Sequence, residues 1–182
     1  MKKTVKRGFK IFSVIFLLFA FASVPYFSAC APNEYILNEK TFFKVMTNIQ
    51  YYPEQYLGKN VEFDCFTYSL TDVESGAEYV CGVRKCSSGY GCTCGRDTVI
   101  GFILKYDGDI PVPTNQSEDS ADKTWVHIKG RLSGAEKTKV SVYAYENGEI
   151  TGRKEEITFL SFDVSSISLI EDYSGLNYFV TK

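Results

Sequence analysis

The N-terminal residues have the pattern of a segment that is removed before the protein folds. Five basic residues lie among the first ten, and an apolar run of about fourteen residues, 11–24, follows them. A basic start, a short apolar stretch and small residues at a cleavage point are typical of a secretory signal peptide. The apolar run is shorter than the roughly 17–25 residues that a membrane-spanning helix needs. We therefore predict that residues 1–29 are a signal peptide and that the rest folds outside the cytoplasm.

The residues at the predicted cleavage point resemble the lipobox of bacterial lipoproteins, where small residues precede a cysteine. The matching residues are Phe27, Ser28, Ala29 and Cys30. The resemblance implies that the Cys30 thiol receives a diacylglyceryl group, that the bond before it is cut, and that the new terminus is acylated. Several fatty acyl chains, such as palmitate, anchor a protein firmly at about 0.8 kcal/mol per buried CH₂. The alternatives are simple secretion after Ala29 and an uncleaved anchor.

This interpretation divides the chain into three parts and gives it a location. Residues 30–37 are expected to be the lipidated terminus and a tether, and residues 38–182 the folded domain. The protein is then held on the cell membrane or outer membrane, facing the extracytoplasmic side. Without residues 1–29 it keeps 15 basic and 22 acidic groups of the original 20 and 22, a net charge of −7. An acidic domain lacks the clustered cations that bind nucleic acid phosphates, so nucleic acid is not an expected ligand.

The pattern of apolar residues predicts a mainly β domain preceded by one helix. Helical spacing begins after Asn38 and ends before Pro53. Alternating apolar and polar residues then predict short strands, and Asn147-Gly148 is a strong hairpin signal. The predicted strands cover 61–68, 78–86, 98–106, 124–132, 139–145, 156–164 and 166–171. Many short strands and one leading helix indicate a small barrel or sandwich.

Two segments narrow this fold class by resemblance. Residues 56–61, Tyr-Leu-Gly-Lys-Asn-Val, and residues 125–132, Trp-Val-His-Ile-Lys-Gly-Arg-Leu, are similar to segments of bacterial OB-fold domains. The resemblance covers roughly residues 39–172 and implies a small OB-like β-barrel of five to seven strands. Residues 80–101 also resemble a cysteine-containing OB domain found beside membrane permeases. Such barrels bind many kinds of ligand, so the fold alone assigns no function.

Five cysteines of the predicted domain are the main candidates for site chemistry. They are Cys65, Cys81, Cys86, Cys92 and Cys94. Disulfide bonds are the first interpretation, because exported domains meet oxidising conditions. A zinc site of Cys81, Cys86, Cys92 and Cys94 is the second, although the spacing lacks C-x₂-C pairs. A reactive thiol beside basic residues is the third. Cys65 is expected either to be a small buried residue or, with a slight preference, to pair with a loop cysteine.

The remaining candidates point to binding rather than catalysis. His127 is the single histidine and lies on a strand, where an exposed or edge position is expected, because no partner for base chemistry is evident in the sequence. Trp125, Tyr143 and Tyr145 form a candidate aromatic binding face, although such aromatics more often fill a core. The acidic loop at 107–123 lacks the order of an EF-hand and is expected to be a solvated loop.

We therefore predict a non-enzymatic envelope lipoprotein. It is anchored to the membrane by lipid, needs no cofactor, and presents its face or loops to a small ligand or to a protein, for which an envelope or transporter protein is the candidate. The alternative is a zinc-binding accessory of a membrane transporter, built on the cysteines.

Overall fold

The computed structural model describes residues 32–86, 98–111, 123–146 and 149–180. Residues from Pro32 onward form one compact unit. The elements of the described residues are β1 (Glu34–Leu37), α1 (Phe42–Tyr51), a 3₁₀-helix (Pro53–Tyr56), β2 (Asn60–Thr71), β3 (Glu78–Cys86), β4 (Thr98–Lys105), β5 (Trp125–Glu146), β6 (Glu149–Leu169) and β7 (Phe179–Val180). The prediction of a mainly β fold with five to seven strands and one helix is confirmed.

Five of the strands pair in a cycle. β2 is antiparallel to β3 and to β5, β5 is antiparallel to β6, β6 is parallel to β4, and β4 is antiparallel to β3. The two pairings of β2 overlap only at Phe66. The strands therefore form one strongly curled sheet rather than a barrel closed along its whole length. β1 and β7 extend it, through parallel pairings with β2 and β3.

The first strand corrects the predicted tether. Residues Glu34–Leu37 pair in parallel with β2, with Glu34 opposite Asn60 and Leu37 opposite Phe63. Tyr35 and Leu37 point inwards, and their neighbours are exposed. A strand of four residues shows too little alternation to be recognised from sequence. The ordered domain therefore starts before residue 38.

The helix begins later than the sequence predicts. Its N-cap is Thr41 rather than Asn38. The Asn38 side chain instead accepts hydrogen bonds from the backbone N–H groups of Lys40 at 3.0 Å and Thr41 at 3.2 Å, in the turn before the helix. Phe42, Met46 and Ile49 are the buried residues of α1, as the helical spacing predicts. Among the described residues, no helix is both long enough and apolar enough to span a bilayer.

The strands β5 and β6 are longer than predicted, because irregular positions do not end them. β5 and β6 form an antiparallel pair that runs from Val126 opposite Leu169 to Glu146 opposite Glu149. The register shifts between Leu132 and Lys137, where the sequence suggested separate strands. Such bulges bend a strand without terminating it. The two predicted hairpin residues, Asn147 and Gly148, lie outside the described residues.

The apolar side chains form two buried clusters. The first lies between α1 and the inner faces of β2, β5 and β6, and includes Met46, Phe63 and Ile128. The second lies towards the β5–β6 hairpin and includes Phe66, Trp125 and others. In the first cluster the Phe63 ring makes edge contacts with Phe102 and Phe162. Residues from both faces of β5 and β6 therefore take part in core packing. Where β2 pairs with β5, the outer face carries polar side chains that solvent can reach.

Candidate functional site

Charged side chains alternate with core residues on two neighbouring strands. Glu62 and Asp64 of β2 lie opposite Lys129 and His127 of β5. Their neighbours Val61, Phe63, Cys65, Val126 and Ile128 are fully buried. Because successive side chains of a strand point to opposite faces, the four polar residues share the outer face. Pairing of opposite charges across the strands stabilises this arrangement.

His127 contacts a carboxylate with each ring nitrogen. Its Nδ1 lies 2.7 Å from Asp64 Oδ1, and its Nε2 lies 3.2 Å from Glu62 Oε1. The imidazole–carboxylate pair matches two members of a Ser-His-Asp triad. The position of the nucleophile is taken by the Glu62 carboxylate, which has no proton to give when ionised. The ring is therefore held between two carboxylates, and neither of its nitrogens contacts a hydroxyl or thiol group in the described part of the chain.

Lys129 neutralises part of this cluster. Its Nζ donates to Glu62 Oε2 at 2.8 Å and lies 3.2 Å from Glu34 Oε1 of β1. The hydrogen bond from Lys129 lowers the pKa of the Glu62 carboxyl. The same bond raises the pKa of Lys129, and so, to a smaller extent, does the bond that Lys129 donates to Glu34. Three carboxylates therefore share one lysine and one histidine, and the cluster keeps an excess of negative charge.

We expect the substitution Lys129→Met to raise the pKa of Glu62, because it removes the main hydrogen bond to the ionised form. A carboxyl group whose pKa is lower in the folded than in the unfolded protein stabilises the fold above its unfolded pKa, which for Glu62 is near 4.5. This stabilisation is lost as the pH falls from that value through the folded pKa. The loss of unfolding free energy on acidification should therefore be smaller in Lys129→Met than in the unaltered protein. A carboxyl-carbon NMR titration of Glu62 measures the change.

Lys139→Met is the matched control for this titration. Lys139 pairs with Glu156 at 3.0 Å, but both side chains are mostly exposed and lie on the hairpin. It should leave the Glu62 midpoint unchanged. An unaltered Glu62 titration in Lys129→Met would contradict the assigned cause.

A groove opens beside this cluster. It has a volume of about 230 Å³. It lies between the end of the β1–β2 pairing at Phe63 and the start of the β2–β3 pairing at Phe66, a stretch of β2 with no partner on that side among the described residues. Its lining is part acidic and part apolar: Ile36, Leu37, Asn38, Glu39, Glu62, Asp64, Arg84, His127 and Leu176. The groove lining thus combines carboxylates, one arginine and aliphatic side chains.

A buried arginine forms part of the groove lining. Arg84 of β3 is only 1% exposed, and its Nη1 lies 2.5 Å from Glu39 Oε1. Its Nη2 donates to the Asn177 carbonyl oxygen, and its guanidinium lies over the rings of Phe42 at 5.1 Å and Trp125 at 5.4 Å. Its Nε has no hydrogen-bond partner within the described residues. Arg84 and Glu39 therefore join α1, β3 and the C-terminal segment.

The cysteines do not assemble as the zinc hypothesis requires. Cys81 and Cys86 are five residues apart on the continuous strand β3, hence on opposite faces and about 16 Å apart. Two thiolates on one zinc lie within about 4.6 Å of each other, given a Zn–S bond of about 2.3 Å. The four-thiolate site is therefore wrong. No group of three or more metal-binding side chains occurs in the described part of the chain. Cys92 and Cys94 lie outside that part.

The two inner cysteines are buried thiols. Cys65 and Cys81 are fully buried and form no disulfide. The preferred pairing of Cys65 with a loop cysteine is therefore wrong, and its other interpretation, a small buried residue, is confirmed. Burial raises the pKa of Cys81 to about 12 and that of Cys65 well above its usual range. Both are protonated at neutral pH and poor nucleophiles. Cys86 is also buried.

The aromatic candidates are separated in the fold. Trp125 is 1% exposed and packs on Phe66 and Tyr173, so it is a core residue rather than part of an exposed face. Tyr143 is 46% exposed on the hairpin. The Tyr145 side chain and the acidic part of the loop, residues 112–122, lie outside the described residues, as does Cys30.

The site depends on residues that the sequence did not single out. Glu62 and Asp64 contact His127, Lys129 connects Glu62 to Glu34, and Glu39 binds Arg84. Alternation placed Glu62, Asp64 and Lys129 on outer strand faces, whereas Glu34 fell in the predicted tether and Glu39 lies in the turn before α1. The missing information was the register that sets Asp64 opposite His127, across 63 residues of sequence.

Comparison with known proteins assigns the chain to a family. The UPF0703 protein YcgQ of Bacillus subtilis (strain 168) is 28% identical over 103 residues, which are 56% of this chain and 31% of that protein. The chain thus matches under a third of that relative's length. No solved structure matches the chain. The family model of the DUF1980 C-terminal domain matches residues 28–145 and stops before β6, which completes the sheet. Because that match covers more than half of the chain, the protein belongs to the DUF1980 C-terminal domain family.

Proposed function

We propose that the protein is a lipid-anchored, non-enzymatic binding module of the cell envelope, built on an OB-like fold. It binds a basic, extended segment of an envelope or transporter protein in the groove beside β1. The observation that carries the proposal is the groove itself, whose lining combines the carboxylates of Glu62 and Asp64 with the aliphatic side chains of Ile36 and Leu176. The module uses no cofactor in this proposal.

The chemistry of the groove favours a cationic ligand with an apolar stem. Ile36 is 63% exposed and, with Leu176, supplies aliphatic surface along which the methylene chain of a lysine or arginine can lie. The charged end then reaches Glu62 or Asp64. Charge-assisted hydrogen bonds to a carboxylate are stronger than neutral ones. The acidic excess of the predicted mature chain also favours association with basic partners.

The pairing pattern supports the OB-like fold. The OB fold is a partly open, five-stranded Greek-key barrel. The cyclic order β2-β3-β4-β6-β5, with one parallel pairing between β4 and β6, is consistent with that topology. The non-enzymatic part rests on His127, because both of its nitrogens face carboxylates. A general base needs a nitrogen directed at the proton it removes.

The anchor part of the proposal rests on the N-terminal sequence. A basic start, an apolar run and the lipobox-like residues 27–30 support removal of residues 1–29 and acylation of Cys30. Intact-mass spectrometry of protein purified from native membranes tests both events. Unprocessed protein that begins at Met1, recovered from the cell interior, would contradict this part.

A peptide titration followed by NMR tests the ligand class. We expect an extended lysine- and arginine-containing peptide to shift the signals of His127, Asp64 and Ile36, and the affinity to fall as salt is added. Asp64→Asn should weaken binding about tenfold, the usual order for a charge-assisted contact of roughly 1.4 kcal/mol. An acidic peptide of the same length should not bind.

Glu156→Gln is the control for this titration. Glu156 is exposed on the hairpin and lies away from the groove residues. The Glu156→Gln substitution removes one negative charge, as Asp64→Asn does. Equal weakening by the two variants, or signal shifts confined to the hairpin, would show that the groove is not the binding site.

A further inference from the structure

We infer that the face formed by Tyr51, Tyr52 and Leu57 rests on the bilayer surface. This inference rests on the lipid anchor of the proposed function and specifies how the domain lies relative to the membrane. The three side chains, here called the anchor-side patch, are 72%, 56% and 43% exposed. They lie at the end of α1 and in the turn before β2.

The chain between the anchor and the fold is very short. Ordered structure begins with β1 at Glu34, and the Asn33 carbonyl oxygen accepts a hydrogen bond from the Asn60 backbone N–H at 2.9 Å. Between Cys30 and Asn33 an extended chain spans at most about 11 Å, three steps of up to about 3.6 Å. A tether through residue 37 would have allowed the domain more freedom. With this spacer, an acylated Cys30 holds Asn33 close to the lipid headgroups.

The Leu57 end of the anchor-side patch lies two residues from a contact with Asn33. Lys59 Nζ donates to Asn33 Oδ1 at 3.3 Å, so the turn at 57–59 is adjacent to the point where the chain enters the domain. The Lys59 backbone N–H donates to the Tyr56 carbonyl, and the Gln55 N–H donates to the Tyr52 carbonyl. Consecutive turns therefore connect Tyr52 compactly to Lys59. The Tyr56 ring, beneath them, packs 5.0 Å from the Tyr35 ring of β1.

The side chains of this patch suit a lipid headgroup layer. Tyrosine is enriched at membrane interfaces, because its ring is apolar and its hydroxyl group is hydrated. Leu57 adds aliphatic surface, and Lys59 lies beside it. Glu54 is the acidic residue in the same stretch and is also exposed. The contact is thus mainly apolar and aromatic rather than a basic grip on anionic lipid.

Tryptophan fluorescence with brominated lipid tests the inference in the acylated full-length protein. Leu57→Trp and Ile150→Trp are the matched variants, because both positions are exposed and Ile150 is 71% exposed on the hairpin. The native Trp125 is buried and gives a constant background. In proteoliposomes we expect brominated phosphatidylcholine to remove more than about half of the added emission at position 57, and little at position 150.

An inserted spacer separates the possible failures. A stretch of about twelve Gly and Ser residues between Pro32 and Asn33 has a reach of about 20 Å and should abolish most of the quenching at position 57. If intact mass shows no acylation, the anchor of the proposed function is wrong. If the protein is acylated but positions 57 and 150 are quenched equally, or quenching survives the insert, the orientation inferred here is wrong.

Discussion

Replacing Gly101 with alanine is expected to destabilise the domain by at least about 3 kcal/mol, the upper range for forced overpacking. A Cβ atom on Gly101 would lie 2.0 Å from the Gly82 carbonyl oxygen and 2.8 Å from the Val83 Cα. These are backbone atoms of β3, so no side-chain rotation relieves the overlap. The strands β3 and β4 must separate at the pair Val83 and Gly101, where the curled sheet brings them together.

The consequence should extend beyond the local strand pair. The Gly101 carbonyl accepts a hydrogen bond from Gln50 Nε2 at 2.9 Å, which ties α1 to β4. Displacing β4 therefore disturbs the helix as well as the sheet. Since domains of this size are stable by only about 5–15 kcal/mol, the loss should be visible as a large fall in the urea midpoint.

Gly134→Ala is the control for this effect. Gly134 also lies in a strand, β5, but a Cβ atom there meets no atom within 4 Å. The substitution should change stability by less than about 1 kcal/mol, and its sign should favour the folded state because alanine restricts the unfolded chain. Similar urea midpoints for the Gly101 and Gly134 variants would show that the close approach is not rigid.

The strands that alternation specifies were predictable, and the irregular parts were not. The predicted strand at 78–86 coincides with β3, because its ends are marked by a turn and by a small-residue segment. β1 was missed, because four residues on the edge of the sheet carry little periodic signal. β5 was divided in two at Leu132 and Lys137, because a bulge rich in small and polar residues looks like a loop in the sequence.

The site was harder to predict than the fold, because it depends on pairing between distant segments. The sequence places Glu62 and His127 on outer faces, but only the register of β2 with β5 brings them together. The cysteines show the opposite case. Their closeness in sequence suggested one site, yet strand geometry sends Cys81 and Cys86 to different clusters. Nearness along an extended strand is a poor guide to shared chemistry.

Replacing Glu39 with alanine is expected to cost about 3 kcal/mol, because it leaves the buried Arg84 guanidinium without its carboxylate. Glu39 Oε1 lies 2.5 Å from Arg84 Nη1, and Glu39 Oε2 accepts a hydrogen bond from Asn177 Nδ2 at 3.1 Å. The variant therefore loses the counter-charge of Arg84 and one attachment of the C-terminal segment. Chemical denaturation measures the change in unfolding free energy.

The exposed pair Lys139 and Glu156 is the control for a surface interaction. Its side chains are mostly exposed, and removing Glu156 should cost no more than about 1 kcal/mol. A comparable loss in Glu39→Ala would indicate that solvent screens the Arg84 pair as well.

A double variant separates the buried charge from the lost contacts. Arg84→Met keeps an apolar side chain between the rings of Phe42 and Trp125 and removes the charge. Apolar replacement of both members of a buried ion pair is often neutral or stabilising. Arg84→Met combined with Glu39→Ala should therefore be more stable than Glu39→Ala alone. If the losses of the two single variants simply add, the pair is not coupled, and the stability of this junction comes from packing against the two rings.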